Sequence, residues 1–181
     1  PVDQSRMNAP QPPVSPEHIL VTHEAMKTSF SLRLCGADAP LLHGLASECC
    51  HIIDQLEQKL SRYFEGGEVY RINHLEAGET LNLSQECYQC LREALEMAVM
   101  TGGLFDPSLG RLIDQQKASS TPEDITQKHP GKLILHEDRA AITCDQPGRL
   151  IDLGGIVKGF TLDHLASFLN DWDLDGFLLS S

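Results

Sequence analysis

The segment 151–160 constrains the fold of this chain more than any other, because an apolar stretch runs directly into a Gly-Gly turn and the start of a helix. We predict a strand that ends near Leu153, a turn at Gly154 and Gly155, and a helix that carries Lys158 in its first turn. Main-chain N–H groups are unpaired in the first turn of a helix, and the helix dipole favours negative charge there. The segment is therefore either a simple tight turn or a cradle for a diphosphate, to which Lys158 adds positive charge.

Length and composition indicate one folded domain with an acidic surface. With 181 residues, of which 41% are hydrophobic, the chain is long enough to bury a substantial core. Its formal net charge of -12 leaves no clustered basic surface, which disfavours nucleic acid and anionic membranes as partners. No hydrophobic run approaches the length of a bilayer span, so we expect no transmembrane segment.

The first residues differ in composition from the rest. Five prolines fall within residues 1–17, and we expect this part to be a flexible Pro-rich arm that precedes a domain at 18–181. The chain begins with Pro1 rather than Met, so its first residues do not reveal its compartment.

The six cysteines show no regular spacing, and we expect them to be free thiols in the core. Free thiols favour a reducing compartment such as the cytoplasm, whereas a periplasmic location requires that an export signal has been removed. Cys87 and Cys90 have the spacing of half a zinc or redox motif. They fall within a predicted helix and have no second pair of ligands, so core packing is the favoured interpretation.

Local patterns predict both strands and helices. Apolar residues alternate with polar ones over 28–35, which is typical of a half-buried strand. Asp38 is placed to cap a long amphipathic helix, and Ser84 to cap a second helix that closes at Gly102. Residues 132–136 and 139–144 are typical of a hairpin, and 176–181 of a core strand. Together these elements predict an α+β fold with a mixed or antiparallel sheet and packed helices.

The loop 103–110 contains glycines and a proline that favour a fixed irregular shape, which makes it a candidate binding loop. Phe105 and Asp106 within it admit two interpretations. In the first, Phe105 is a core plug and Asp106 bonds its own turn; in the second, they present an aromatic face and a carboxylate to a planar ligand.

Two common catalytic motifs are absent. The sequence has no Gly-x-Ser-x-Gly, which disfavours a serine hydrolase on an α/β scaffold. It also has no Gly-x₄-Gly-Lys-Ser/Thr, which disfavours a P-loop phosphotransferase.

Five motifs occur in a fixed order along the chain. They are AMKTSF at 25–30, LEQKLSRY at 56–63, EVYRIN at 68–73, TGGLFDP at 101–107 and DLGGIVKG at 152–159. In this order they resemble the FAD:protein FMN transferases, the ApbE-type flavin transferase family. The resemblance extends from about residue 20 to residue 181, and it implies an ApbE-like α+β fold of which this chain holds the N-terminal and central portion.

The resemblance also implies an activity and a site. Members bind FAD with a divalent ion, usually Mg²⁺, and move the FMN part onto a threonine or serine hydroxyl of an acceptor flavoprotein, releasing AMP. The family's FAD contacts fall on Met26, Tyr63, Leu104, Phe105, Asp106, Asp152 and Lys158, and its main-chain metal ligand falls on Gly155. Lys158 is the expected catalytic residue, because an ammonium stabilises the charge that builds on phosphoryl oxygens.

The chain departs from the family pattern at several places. Lys27 stands where relatives usually have Gly or Ala, and Gly67 where they often have Ser. The family continues beyond 176–181 with residues that complete the metal site, and one main-chain carbonyl is a poor site for Mg²⁺. Our hypothesis is that a C-terminal fragment or a second chain completes the domain. Two alternatives to FMN transfer stay open: a non-catalytic FAD-binding module and a Mg²⁺-dependent FAD diphosphatase.

Overall fold

A computed structural model describes residues 18–110, 114 and 131–181. The arm expected at 1–17 lies outside the described residues. The elements, in chain order, are β1 (His18–Ala25), β2 (Thr28–Cys35), α1 (Ala39–Leu60), α2 (Glu68–Ile72), β3 (Thr80–Asn82), α3 (Gln85–Met100), β4 (Lys132–Leu135), β5 (Ala141–Gln146), α4 (Val157–Asn170) and β6 (Gly176–Ser180). Helices packed on antiparallel strands confirm the predicted α+β class.

The first sheet has the strand order β1-β2-β6 and is antiparallel throughout. Its central strand is β2, whose inward residues Phe30, Leu32 and Leu34 are completely buried. Strand β6 lies at an edge, where Leu178 is 64% exposed. The prediction of a core strand at 176–181 is therefore wrong in its burial, because only β2 flanks this strand within the described part of the chain.

Helix α1 packs across this sheet and begins as predicted. Asp38 Oδ1 accepts a hydrogen bond of 2.9 Å from the main-chain N–H of Leu41, which satisfies one of the free donors of the first turn. The first hydrophobic cluster joins α1, β2 and α4 through Phe30, Leu32, Leu34, Leu42, Leu45, Cys49, Ile53, Leu165 and Leu169. Leu56 and Leu60 belong to a second cluster, so the C-terminal end of α1 lies where the two clusters meet.

The second sheet has the order β3-β5-β4 and packs with α2 and α3 in the second cluster. Strands β4 and β5 form the predicted hairpin, with a connection at 136–140. Helix α3 also begins and ends as predicted. Ser84 accepts a hydrogen bond of 3.3 Å from the N–H of Cys87, and Gly102 has the left-handed φ of 61° expected after a helix end.

The segment before the Gly-Gly turn is not a strand, so that prediction is wrong. Residues 151–153 pair with no strand within the described ranges, and only the neighbouring Leu150 forms a bridge, to Leu109. The side chain of Asn73 satisfies the main chain instead. Its Nδ2 donates to the carbonyl of Ile151 at 2.9 Å, and its Oδ1 accepts from the N–H of Ile151 at 2.7 Å. A side-chain clamp thus replaces a strand ladder.

Candidate functional site

A cavity of about 220 Å³, which we call the cleft, opens between the β1–β2 turn, the loop after α1 and the start of α4. Four of the residues predicted to contact FAD line it: Met26, Tyr63, Asp152 and Lys158. Pockets that enclose a drug-sized ligand measure roughly 300–1,000 Å³. The described residues therefore form a site for part of a dinucleotide rather than an enclosure for all of it.

Met26 and Lys27 form the turn between β1 and β2. Their φ angles are 52° and 59°, in the left-handed region that a two-residue hairpin turn requires and that side chains other than glycine rarely adopt. The main-chain N–H of Met26 donates to Glu57 Oε1 at 2.7 Å. This bond ties the turn to α1 and places both side chains along the wall of the cleft.

Arg62 organises the polar side of the cleft. Its side chain is only 6% exposed, and its Nε donates to Asp152 Oδ2 at 2.7 Å. Its Nη1 and Nη2 donate to the two carboxylate oxygens of Asp114 at 2.8 and 2.6 Å. Hydrogen bonding to Asp114 raises the pKa of Arg62 against the opposing effect of burial, and the charge of Asp152 raises it further. Arg62 is thus a fixed cation between two carboxylates.

Tyr63 and Asp152 are both held in place by these neighbours. The guanidinium of Arg62 lies 4.3 Å from the centroid of the Tyr63 ring, and the ring is on a side chain that is 56% exposed. Asp152 Oδ1 also accepts from the N–H of Gly154 at 2.8 Å. Sequence reasoning missed Arg62, although it precedes Tyr63 in the second motif. The sequence signal that could have identified Arg62 is its position as a charged residue directly after the apolar face of a helix.

The start of α4 is less open than the sequence predicts. The N–H groups of Ile156 and Val157 both donate to the carbonyl of Leu153 at 2.9 Å, and the N–H of Gly154 is taken by Asp152. The prediction of unpaired amides is wrong for these three groups. Lys158, the second residue of α4, is exposed and lines the cleft. Its ammonium, more than the main chain, supplies the positive charge at this turn.

The structure does not bring residues 104–106 into the cleft. Leu104 is 92% exposed, and Phe105 packs against the second cluster. Asp106 Oδ1 accepts from the N–H and the Oγ of Ser108 at 2.8 and 2.7 Å. This geometry matches the interpretation of Phe105 as a plug and Asp106 as a turn residue. A contact of Leu104, Phe105 or Asp106 with FAD stays a prediction.

Gly155 lines a separate cavity of about 400 Å³, next to Glu93, Glu96 and Asp163. A Cβ atom at this position would approach Cε2 of Phe105 to 2.9 Å, so the packing of that ring requires glycine. Within the described ranges, no group of three His, Cys, Asp or Glu side chains is placed to hold a metal ion. Since Mg²⁺ favours octahedral oxygen coordination, these residues alone do not fit it. The assignment of Gly155 as a metal ligand stays a prediction.

The cysteines are free thiols, as predicted, and four of them are buried. Cys87 and Cys90 lie completely buried in the second cluster, which confirms their core-packing role. Burial raises the pKa of Cys90 to about 12 and, with the charges of Cys50 and Glu48, that of Cys49 to about 12. Thiolates, the reactive and metal-binding form, are therefore disfavoured at these positions. Across the described ranges, no helix combines the length and hydrophobicity needed to cross a bilayer.

Comparison with known proteins finds similarity to proteins that are named flavin transferases. FAD:protein FMN transferase of Klebsiella pneumoniae is 25% identical over 169 residues, which cover 84% of this chain and 53% of the relative. The enzyme of that name from Chlamydia muridarum is 28% identical over 135 residues, covering 69% and 43%. The apo form of flavinyl transferase ApbE from Pseudomonas stutzeri has the same fold, with a TM-score of 0.78 at 19% identity, covering 94% of this chain and 60% of that one.

The chain spans about half the length of the curated relatives it matches. The model of the ApbE family matches residues 26–181, which include four of the cleft residues predicted from the motifs. The chain belongs to the ApbE family.

Proposed function

We propose that the protein is an FAD:protein FMN transferase, which moves FMN from FAD onto a serine or threonine hydroxyl of an acceptor flavoprotein and releases AMP. One observation carries the proposal: the fold brings Met26, Tyr63, Asp152 and Lys158 from three distant motifs to one cleft. Relatives named FAD:protein FMN transferase support it.

The cleft offers suitable partners to a planar ring, a polar donor and the phosphates of a flavin dinucleotide. The exposed ring of Tyr63, backed by the guanidinium of Arg62, presents a rigid face for stacking on a planar ring. The thioether of Met26 suits the same kind of contact. Asp152 is oriented by the donors of Arg62 and Gly154, and its carboxylate can still accept a hydrogen bond from a ribose hydroxyl or from a ring N–H. Lys158 supplies a cation for the phosphates.

The reaction is a substitution at the phosphorus on the FMN side of the diphosphate. A bond forms from the acceptor hydroxyl oxygen to this phosphorus, the bond to the AMP oxygen breaks, and the hydroxyl proton is released. Negative charge builds on the phosphoryl oxygens and on the departing AMP. An ammonium next to them lowers the barrier by electrostatic stabilisation, which is the role we assign to Lys158.

We also propose that the reaction requires Mg²⁺, although the described residues alone do not form a site for it. Most of its ligands then come from polypeptide outside the half of the family that this chain spans, either a C-terminal portion or a second chain. Chelation of divalent ions should abolish transfer, and adding a polypeptide that corresponds to the other half of the family should increase it. Transfer that persists in excess EDTA would refute the metal requirement.

The test of function is incubation with FAD, Mg²⁺ and an acceptor protein that carries an exposed serine or threonine. If FMN is transferred, the amount of AMP released should equal the amount of FMN bound to the acceptor. The bound FMN is measured as flavin fluorescence on the denatured acceptor. AMP without labelled acceptor would instead indicate an FAD diphosphatase. Tight FAD binding without AMP would indicate a binding module.

Lys158→Ala tests the catalytic assignment. Lys158 is exposed, so the variant should fold normally while transfer falls by about 100-fold or more, as when an electrostatic group is removed from a transition state. Lys132→Ala is the matched control, because Lys132 lies in β4 outside the cleft and pairs with Asp145 at 3.0 Å. Unchanged turnover by Lys158→Ala would remove this residue from the mechanism.

A further inference from the structure

We propose that Lys27 is a specificity-determining residue of the cleft, which recognises the diphosphate of the dinucleotide together with Lys158. The inference rests on the proposed function, because it assigns a further residue to the same site. It would make the cleft selective for ligands with two adjacent phosphates over flavins that have none.

The backbone of Lys27 is strained. Its φ of 59° lies in the left-handed region, where residues other than glycine are disfavoured. Glycine would form the same two-residue turn without that strain. The side chain is exposed and is absent from both hydrophobic clusters, so core packing does not require a lysine here. Strain of this kind concentrates at functional sites.

The ammonium of Lys27 is directed toward the cleft. Its Nζ lies 4.9 Å from the centroid of the Tyr63 ring, and the residue lines the same cavity as Lys158. The contact with Tyr63 holds the flexible side chain at the cleft without neutralising its charge. Lys27 therefore reaches the cavity from the β1–β2 turn, and Lys158 reaches it from α4.

Neither ammonium forms an ion pair within the described ranges. The ion pairs of residues 18–110, 114 and 131–181 include neither Lys27 nor Lys158. Of the carboxylates that line the cleft, Asp152 pairs with Arg62, and Glu57 accepts from the main-chain N–H of Met26. In a chain of net charge -12, two unpaired cations at one cavity form a local anion site. Their number matches the two negative charges of a dinucleotide's diphosphate.

The test compares Lys27→Ala, Lys27→Gly and Lys27→Arg for affinity and melting temperature, with FAD and phosphate-free riboflavin as ligands. Both Ala and Gly remove the ammonium, so FAD affinity should fall about tenfold in each. Riboflavin affinity should not change. Only glycine relieves the strain, so Lys27→Gly should melt about 2 °C above Lys27→Ala. Lys27→Arg should keep FAD affinity within about threefold of the unmodified protein, because it keeps the charge.

A purely structural role gives a different pattern. FAD affinity would then follow the melting temperature, and Lys27→Gly would bind FAD as tightly as the unmodified protein. That result would overturn the inference about Lys27 and leave the proposed function standing. An equal loss of FAD and riboflavin affinity overturns the diphosphate assignment. Failure of the unmodified protein to bind FAD overturns the proposed function, and this inference with it.

Discussion

Replacement of Asn73 by alanine should destabilise the fold and disturb the cleft together. The Asn73 amide makes two hydrogen bonds to Ile151, at 2.9 and 2.7 Å, in place of a strand partner. Ile151 is 6% exposed, so water cannot readily replace either bond. Asp152 is the next residue in the chain, so we expect loss of this clamp to shift its position as well.

The expected loss in the free energy of unfolding follows from these contacts. Each lost hydrogen bond is worth roughly 0.5–1.5 kcal/mol, and a buried main-chain group left unpaired adds about 1–3 kcal/mol. Allowing for partial relaxation, Asn73→Ala should lower the free energy of unfolding by about 2–4 kcal/mol. For a domain of this size that corresponds to a fall in Tm of roughly 4–16 °C.

Urea unfolding followed by the fluorescence of Trp172, the single tryptophan, measures this change directly. The matched control is Asn82→Ala, at an exposed position of β3, which should change the free energy by less than about 0.5 kcal/mol. The slope of free energy against urea should be the same in all three proteins. A loss below about 1 kcal/mol for Asn73→Ala would refute the clamp as the support of this segment.

Two further predictions concern the core. A Cβ at Gly67 would lie 2.2 Å from the carbonyl oxygen of Gln58, so Gly67→Ala should lower the free energy of unfolding by about 1–3 kcal/mol. Gly44 in helix α1 has open space around it, so Gly44→Ala should raise the free energy of unfolding by up to about 1 kcal/mol. Equal effects of the two substitutions in thermal melts would contradict the packing. Because the pKa of Cys49 and of Cys90 is raised to about 12 on folding, protonated thiols stabilise the fold fully below an unfolded pKa of about 8.5. Stability should then fall as pH rises from about 8.5 toward 12, by about 1 kcal/mol per pH unit for each thiol, and a flat profile between about pH 8 and 10 would contradict this.

Local sequence patterns predicted the elements whose signals are short-range. Asp38, Ser84 and Gly102 define helix ends through contacts with residues a few positions away, and the structure has all three as predicted. Strand β1 was not predicted. Burial alternates along this strand, but the outward position 20 is occupied by an apolar residue, Leu20, which is 57% exposed. Ile19, Leu20 and Val21 therefore form a continuous apolar run, and the sequence does not show the alternation typical of a half-buried strand.

The polar contacts of the site join residues far apart in sequence, and no periodicity encodes them. Arg62 reaches Asp152 across 90 positions, and Asn73 reaches Ile151 across 78. The motifs identified four of the residues that line the cleft, yet they did not show that the amides of Ile156 and Val157 are satisfied by Leu153. Which groups are free to bind a ligand depends on these pairings, so a sequence pattern alone overestimates the openness of a glycine turn.

The most direct test of FAD binding at the cleft is a crystal structure of the protein with FAD. The diphosphate should lie with an oxygen about 3 Å from the Nζ atom of Lys158, and a planar ring of the dinucleotide should stack on Tyr63. FAD bound away from these two residues, with the cleft filled by protein side chains, would contradict the proposed site.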